Sequence, residues 1–320
     1  MTAIPIRKIE KFDLLSGLEK PDTHLRVFTQ TFEVHSQILK EHSEFFRAFL
    51  DSSEKDQSAF PQEGIRYKWI THVDEDGSWC LVWEKSLKRE GERTYIHDID
   101  EQIEAFYTLL DAMYRTRIRF RSVRNLQIAT DLADYYRALP ILAKGVSYAL
   151  LDGLNFISII PANCIALLKI STKLRNKVLF KECVIHSTGP WNAPQFLNLD
   201  DPILKGICQK AYDGILAKSG KFFQSLLELN SKDDERSVER DKDIARCARY
   251  SQQASTRPGV IWNINMPCFY RELVTTVPFP GEANVHLHNM MRSNLTLDIS
   301  RGGAGLRKQC LPFNIPLRRD

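Results

Sequence analysis

The 320-residue chain lacks the features that define several broad classes of protein. Fifteen glycines and fourteen prolines are too few for a collagen-like or low-complexity chain. The 44 basic and 40 acidic residues leave a net charge of +4, which does not by itself indicate a nucleic-acid partner. The composition is therefore that of an ordinary globular protein, and the length predicts about two domains.

Cysteine pairs and long apolar runs are also missing. The seven cysteines are scattered without a CxxC pair, a pattern typical of reduced thiols in a cytosolic or nuclear protein. The first fifteen residues hold no continuous apolar run, so we expect no signal peptide. The most apolar stretch, 148–170, is interrupted by polar residues and by Pro161. It predicts two buried helices that meet at the proline, and neither a membrane span nor secretion.

The sequence has little that indicates catalysis. It contains no GxSxG motif and no phosphate-binding loop, and the glycine cluster at 301–305 is interpreted as a turn. Cys183-x-x-His186 and His286-x-His288 each supply only half of a four-ligand zinc site. We therefore predict no enzymatic activity, no metal and no cofactor.

What the sequence does have is a strand-rich first part. Apolar and β-branched residues in 22–35 predict a hairpin, and Asp76-Gly77 between two aromatic runs predicts a second one. Between them, apolar residues from 38 to 50 recur at intervals of three and four, with Ser43 as a break between two short helices. Asp98 is predicted to begin the next helix. Residues 20–150 thus favour an α+β fold.

Later residues are predominantly helical in pattern. Asp201-Pro202 is typical of a helix start, and residues 232–246 contain eleven charges, as expected for a linker or an exposed helix. The last part, 259–320, is rich in proline and weak in periodicity.

One charged segment alternates at period two. Arg115, Arg117, Arg119 and Arg121 are separated by Thr116, Ile118 and Phe120, which predicts a strand with its guanidinium groups on one face. Such a stripe could bind an acidic partner or a phosphate backbone. The favoured interpretation is a solvated edge strand, because charge elsewhere is nearly balanced.

The residues from 22 to 50 resemble the signature of BTB/POZ domains, which combines a strand ending in Val-His, a helix with a leucine, and Ser-x-Phe-Phe-Arg. The positions that carry the resemblance are Asp22, Phe32, Val34, His35, Leu39, Ser43, Phe45, Phe46 and, at the end of a later helix, Tyr114. The segment 51–95 is similar to the insertion of many fungal members. Residues 174–191 resemble their helical, BACK-like extension.

The resemblance implies a fold class and domain limits. The fold is α+β: an N-terminal BTB/POZ fold, with short strands flanked by helices and an inserted β-hairpin, then an all-helical region and an irregular C-terminal tail. The limits are 1–19 for an N-terminal extension, 20–150 for the BTB/POZ domain, 151–230 for the BACK-like region, 231–258 for a charged linker, and 259–320 for the tail. His35 is expected to be a packing residue whose ring bonds a nearby carbonyl.

The resemblance also implies a function. Members of the family self-associate or bind a cullin-type ubiquitin-ligase scaffold, so we predict an adaptor or a homodimeric scaffold in the cytoplasm or nucleus. Scaffold-binding members carry a hydrophobic-x-Glu element, and the nearest text here is Phe60-Pro61-Gln62-Glu63. The alternative is a nuclear regulator that recruits co-repressors. Those members pair the acid at the position of Asp22 with a basic residue after Val-His, where this chain has Ser36.

Overall fold

The computed structural model describes residues 9–12, 20–50, 64–86, 95–115, 118, 121–152, 154–189, 193–231, 236–254 and 262–291. The strands are β1 (Glu10–Lys11), β2 (Thr23–Val27), β3 (Gln30–Val34), β4 (Tyr67–Val73), β5 (Trp79–Trp83), β6 (Gln252–Ala254) and β7 (Trp262–Ile264). The helices are α1 (Ser36–His42), α2 (Glu44–Leu50), α3 (Ile99–Tyr114), α4 (Val123–Tyr135), α5 (Leu139–Asp152), α6 (Leu154–Lys173), α7 (Lys177–Ser187), α8 (Pro202–Asn230), α9 (Ser237–Tyr250), α10 (Met266–Thr276) and α11 (Gly281–Met291).

The chain divides into two compact units. The N-terminal unit comprises Met1–Gly153 and Thr172–Asn176, and the C-terminal unit comprises Leu154–Ser171 and Lys177–Asp320. The protein is α+β: a small mixed sheet lies near the N-terminus and helices follow.

The sheet of the N-terminal unit has the order β1-β3-β2-β4-β5. The pairs β2–β3 and β4–β5 are antiparallel, whereas β1–β3 and β2–β4 are parallel. Both predicted hairpins are therefore confirmed. The first turn lies at Phe28 and Thr29, where Phe28 adopts a positive φ of 51° and its N–H donates to the Thr71 hydroxyl at 2.7 Å.

Strand alternation produces the core of this unit. Leu25, Phe32 and Val34 are fully buried on one side of the sheet, and Leu39 and Phe46 from the first two helices are buried with them. The break at Ser43 is confirmed. Its hydroxyl accepts from the Phe46 N–H at 3.2 Å and donates to the carbonyl of Tyr136 at 2.6 Å, so it caps α2 and ties it to the end of α4.

The arginine segment is not the strand that its alternation predicts. Arg115 follows the last residue of α3, and neither Ile118 nor Arg121 belongs to a strand. Ile118 is instead buried against α5, where a Cβ added at Gly145 would lie 2.5 Å from its Cδ1. Packing of this one apolar side chain overrides the two-residue period. Arg117 and Arg119 lie outside the described residues.

The C-terminal unit is built mainly from helices. Within α6, two helical segments meet at a kink, where Asn163 has non-helical φ and ψ two residues after Pro161. This agrees with the prediction of two helices that meet near the proline. By length and composition alone, its Phe156–Lys173 portion passes the test for a membrane-crossing helix, a test that buried core helices also pass. As predicted, Asp201 begins α8, since its carboxylate accepts from the N–H groups of Ile203 at 2.8 Å and Leu204 at 3.0 Å.

The C-terminal tail is more regular than its sequence suggests. Asn265 caps α10 by accepting from the Cys268 N–H at 3.1 Å, and α11 follows within the same tail. The prediction of an irregular tail is therefore wrong for 262–291. It failed because α10 and α11 are short, and Phe269, Tyr270, Leu273 and Leu287 become buried only in the folded unit.

Candidate interaction surface

Asp22 joins three elements of the N-terminal unit. Its carboxylate accepts from the backbone N–H of Ser36 at 2.7 Å, the hydroxyl of Ser36 at 2.6 Å and the hydroxyl of Thr23 at 3.1 Å. Its carbonyl accepts from the N–H groups of Arg66 at 2.7 Å and Tyr67 at 3.1 Å. A carboxylate at the first turn of α1 is also favoured by the helix dipole. The hydrogen bonds from Ser36 thus stabilise the Asp22 carboxylate, as the positive charge of a basic residue would.

His35 is a packing residue, since it is buried and both its backbone and its ring contact Tyr114. The Tyr114 hydroxyl accepts from the His35 backbone N–H at 2.6 Å and lies 3.0 Å from the ring Nδ1. This partner of the ring is a phenol oxygen, and the expected bond to a carbonyl stays a prediction. The Tyr114 ring packs on Phe12 at 5.0 Å, and burial raises the pKa of its hydroxyl. The pair thereby fixes the end of α3 to the start of α1.

Most of the other signature residues also belong to the core. Phe32, Val34, Leu39 and Phe46 have essentially no exposed surface. Phe46 stacks on Tyr136 with ring centroids 5.3 Å apart and planes 4° apart. These side chains hold the fold together and are inaccessible to a partner.

Phe45, Phe49 and Tyr135 form an aromatic surface on the N-terminal unit. Phe45 lies at its centre, 4.7 Å from Phe49 and 5.8 Å from Tyr135 between ring centroids. Phe49 is 46% exposed and Tyr135 is 52% exposed. Phe45 also contacts the buried ring of Tyr136 at 5.2 Å, so the surface rests on a rigid aromatic base. We refer to these three residues as the aromatic surface.

The centre of the aromatic surface carries no ionised group at neutral pH. Burial raises the pKa of Tyr135 to about 12, and the neighbouring Cys80 thiol adds to the shift. Burial, with the nearby Asp74 carboxylate, also raises the pKa of Cys80. Next to Phe45, the backbone N–H of Glu44 donates to the carbonyl of Arg137 at 3.5 Å, which joins the start of α2 to the segment after α4.

The aromatic surface could not be located from the sequence. The apolar period predicts that Phe45 and Phe49 face the core together with Phe46 and Leu50. In the structure, α2 makes only two turns, and its buried residues are Phe46 and Leu50. The residues that form the aromatic surface lie on α2 and α4, which are far apart in sequence. The apolar period of one helix therefore does not indicate this surface.

The other predicted partner-binding residues do not form one site. Arg115 Nε lies 3.2 Å from Asp111 Oδ1, and Arg121 pairs with Glu104. These two guanidinium groups are partly neutralised, which weakens the case for a phosphate-binding stripe. Phe60 and Glu63 lie outside the described residues, as does the glycine cluster at 301–305.

The candidate metal ligands do not converge either. Within the described residues, no group of three or more His, Cys, Asp or Glu side chains could hold an ion. Cys183 is buried on α7, and burial lowers the pKa of His186 to about 4. His288 bonds the carbonyl of Asn284 through Nδ1 at 2.9 Å.

Five of the seven cysteines are free and buried, as expected for reduced thiols: Cys80, Cys164, Cys183, Cys208 and Cys247. Cys268 is disulfide-bonded, so the expectation of a fully reduced chain is wrong at this position.

No family model and no curated protein matches this chain. The BTB/POZ resemblance therefore stays a prediction.

Proposed function

We propose that this chain is a non-enzymatic protein-interaction module of the cytoplasm or nucleus, whose N-terminal unit binds a partner protein through the aromatic surface. The observation that carries the proposal is the half-exposed pair Phe49 and Tyr135 around the ring of Phe45. Aromatic side chains lose little conformational entropy on binding and dominate the energetics of many interfaces. The contacts of Phe45 with buried rings fix the conformation of the aromatic surface before a partner binds.

The partner that we propose is a cullin-type ubiquitin-ligase scaffold, which makes the chain a substrate adaptor. This choice follows the sequence resemblance, and the aromatic surface supplies the contact that such a scaffold would need. An adaptor works by proximity, because two binding surfaces on one chain raise the effective concentration of one partner near the other. A self-associating scaffold is the competing role.

The alternatives have less support. A co-repressor-binding regulator would use a charged pocket at Asp22, but this carboxylate already accepts three hydrogen bonds from Ser36 and Thr23. Nucleic-acid binding would use the arginine segment, but Arg115 and Arg121 are paired with acidic residues.

The test is a calorimetric titration of the full chain with the N-terminal region of a cullin. We expect micromolar binding, weakened by about 10-fold to 100-fold in Phe49→Ala, as for a residue at the centre of an interface. Tyr250→Ala is a matched control, because Tyr250 is an exposed aromatic residue at the end of α9.

The outcomes separate the competing roles. Equal weakening by Phe49→Ala and Tyr250→Ala would exclude the aromatic surface as the docking site. A folded chain that binds no cullin and elutes as a dimer would replace the adaptor with the self-associating scaffold.

A further inference from the structure

The strand β1 forms one edge of the sheet in the N-terminal unit. It is two residues long and runs parallel to β3, with Lys11 opposite Glu33. One further backbone bond follows, from the N–H of Phe12 to the carbonyl of Glu33 at 3.0 Å. If β1 moves away, β3 becomes the edge strand. An edge strand presents its outer N–H and C=O groups to any extended segment that can pair with them.

Phe12 fills a pocket of aromatic rings next to β1. It is 4% exposed, and its ring centroid lies 5.0 Å from that of Tyr114, 5.3 Å from Tyr107 and 6.3 Å from Phe32. Tyr107 and Tyr114 are about two turns apart on α3, and Phe32 belongs to β3. The walls of the pocket therefore belong to the main body of the unit, and Phe12 is the side chain that occupies it.

The position before Phe12 favours a basic residue. Lys11 Nζ lies 2.8 Å from Glu33 Oε2, and the side chain of Glu33 is 13% exposed whereas that of Lys11 is 62% exposed. The other carboxylate oxygen, Oε1, lies 3.4 Å from His24 Nε2. Glu33 is thus a mostly buried acceptor of the sheet, and β1 supplies the lysine that pairs with it.

Glu10 fits its place in β1 less well. Its side chain lies on the same side of the strand as that of Phe12, near the end of α3. Limited burial raises the pKa of the Glu10 carboxyl, an effect that Arg115 opposes and Asp111 increases. Arg115 is already paired with Asp111 at 3.2 Å. A neutral side chain in place of Glu10 would not have to bury a charge, so the chain's own segment is not the best occupant of this edge.

From these contacts we infer that the outer edge of β3 and the aromatic pocket form a docking groove for an extended segment of a partner protein, in which a basic residue is followed by an aromatic one. Residues 9–12 are the intramolecular competitor that closes this groove. We call Phe32, Glu33, Tyr107 and Tyr114 the β3 groove.

A partner strand can bind the β3 groove more strongly than β1 does. β1 pairs with two of the five residues of β3, so a longer strand would make more backbone hydrogen bonds. Such pairing supplies affinity, while the pocket and the Glu33 carboxylate select the side chains. The β3 groove shares no residue with the aromatic surface, and the inference does not depend on the proposed function.

The test is fluorescence anisotropy of a labelled synthetic peptide that has the sequence of residues 7–14 with Gln in place of Glu10, titrated with the full chain. The wild-type chain should bind it weakly, because residues 9–12 occupy the groove in most molecules. Phe12→Ala empties the pocket and should bind the peptide at least about 10-fold more tightly. Ile9→Ala is the matched control, because Ile9 is an apolar residue of the same segment that is 47% exposed. It should leave the affinity unchanged.

A charge variant tests the competition without changing the pocket. Lys11→Glu places a second carboxylate opposite Glu33 and should also tighten binding of the peptide. Since the side chain of Lys11 is well exposed, this variant should fold. Thermal unfolding of each variant checks that the unit is intact. In the peptide itself, Lys11→Glu should weaken binding to the Phe12→Ala chain several-fold, because it repels the same carboxylate.

Four results would overturn the inference. The first is that folded Phe12→Ala and Lys11→Glu chains bind no peptide at about 1 mM. The second is equal affinity of the wild-type and Phe12→Ala chains, which would exclude competition by residues 9–12. The third is unchanged binding of a peptide with Ala in place of Phe12, which would exclude the pocket. The fourth is a wild-type dimer that the peptide converts to monomers, which would assign the groove to a second copy of the chain.

Discussion

Polar side chains make different kinds of contact inside the N-terminal unit and inside the C-terminal unit. In the N-terminal unit, polar side chains join elements that are far apart in sequence, as Asp22 does with Ser36 and Ser43 with the carbonyl of Tyr136. In the C-terminal unit, many polar side chains bond their own helix, as Ser225 does with the carbonyl of Lys221. Long-range polar contacts occur in the helical unit too, as between the hydroxyls of Ser219 and Tyr270, but among the described residues they are more frequent in the sheet unit.

The largest effect that we expect comes from a charge in the core of the N-terminal unit. Phe46→Asp or Leu39→Asp should unfold residues 20–150, because an unpaired buried charge costs several kcal/mol against a total stability of about 5–15 kcal/mol. Hydrogen exchange of the full chain will show which amides lose protection. Phe49→Asp is the control on the same helix, where the half-exposed side chain tolerates a charge. Cooperative, native-like melting of Phe46→Asp would contradict this packing.

The second effect is a dependence on pH that belongs to the C-terminal unit. Burial lowers the pKa of His186 from 6.5 to about 4, so the unfolded chain binds this proton more readily than the folded chain. The stability contribution is complete above pH 6.5 and is lost as the pH falls toward 4, by up to about 3 kcal/mol. His186→Leu should remove this loss. Identical pH profiles of urea unfolding for the wild type and His186→Leu would show that the imidazole is accessible to protons.

The third effect compares a long-range hydrogen bond with a local one. Ser43→Ala should cost about 1–3 kcal/mol, because it removes the cap of α2 and leaves the Tyr136 carbonyl buried without this donor. Ser225→Ala removes a bond within a single helix and should cost less than about 1 kcal/mol, since alanine has the higher helix propensity. Urea unfolding of both variants measures the difference. Equal losses of stability would show that the long-range and the local hydrogen bond contribute equally to their units.

The smallest effect concerns a surface ion pair. Arg121→Ala breaks the pair with Glu104, whose partners are both well exposed, and it should change stability by less than about 1 kcal/mol. Thermal unfolding at low and high salt is the measurement. A larger loss that persists in high salt would mean that Arg121 also holds the segment around Ile118 in place.

Much of the local structure could be predicted from the sequence. The Asp76-Gly77 hairpin, the break at Ser43 and the helix starts at Asp98 and Asp201 each have a physical signal within a few residues. The strand predicted from Arg115 to Arg121 failed at its described residues, because the burial of Ile118 against Gly145 is a contact between distant segments. The regular structure of 262–291 was missed because short helices need a neighbour to be stable.

The candidate site depended even more on distant contacts. The apolar period of the sequence predicts that Phe45 is a core residue. Nothing in the sequence indicates that Phe45 contacts Tyr135. Whether an aromatic side chain on a two-turn helix is buried is decided by what packs beside that helix. The exposed apolar residues of α8 are a milder case, since the spacing of Leu216, Phe223 and Leu227 can be recognised in the sequence but their exposure cannot.

By itself, the sequence determined the α+β class, most turns and caps, and a helical second half, because these follow from the chemistry of neighbouring residues. Only the tertiary structure decided that Ser36 donates hydrogen bonds to Asp22, that Phe49 and Tyr135 form one aromatic surface, and that Leu216 and Leu227 of α8 are exposed. Local signals act over a few residues and can be read in order along the chain. Burial and exposure depend on which distant segments meet, and that is settled by the packing of the whole unit.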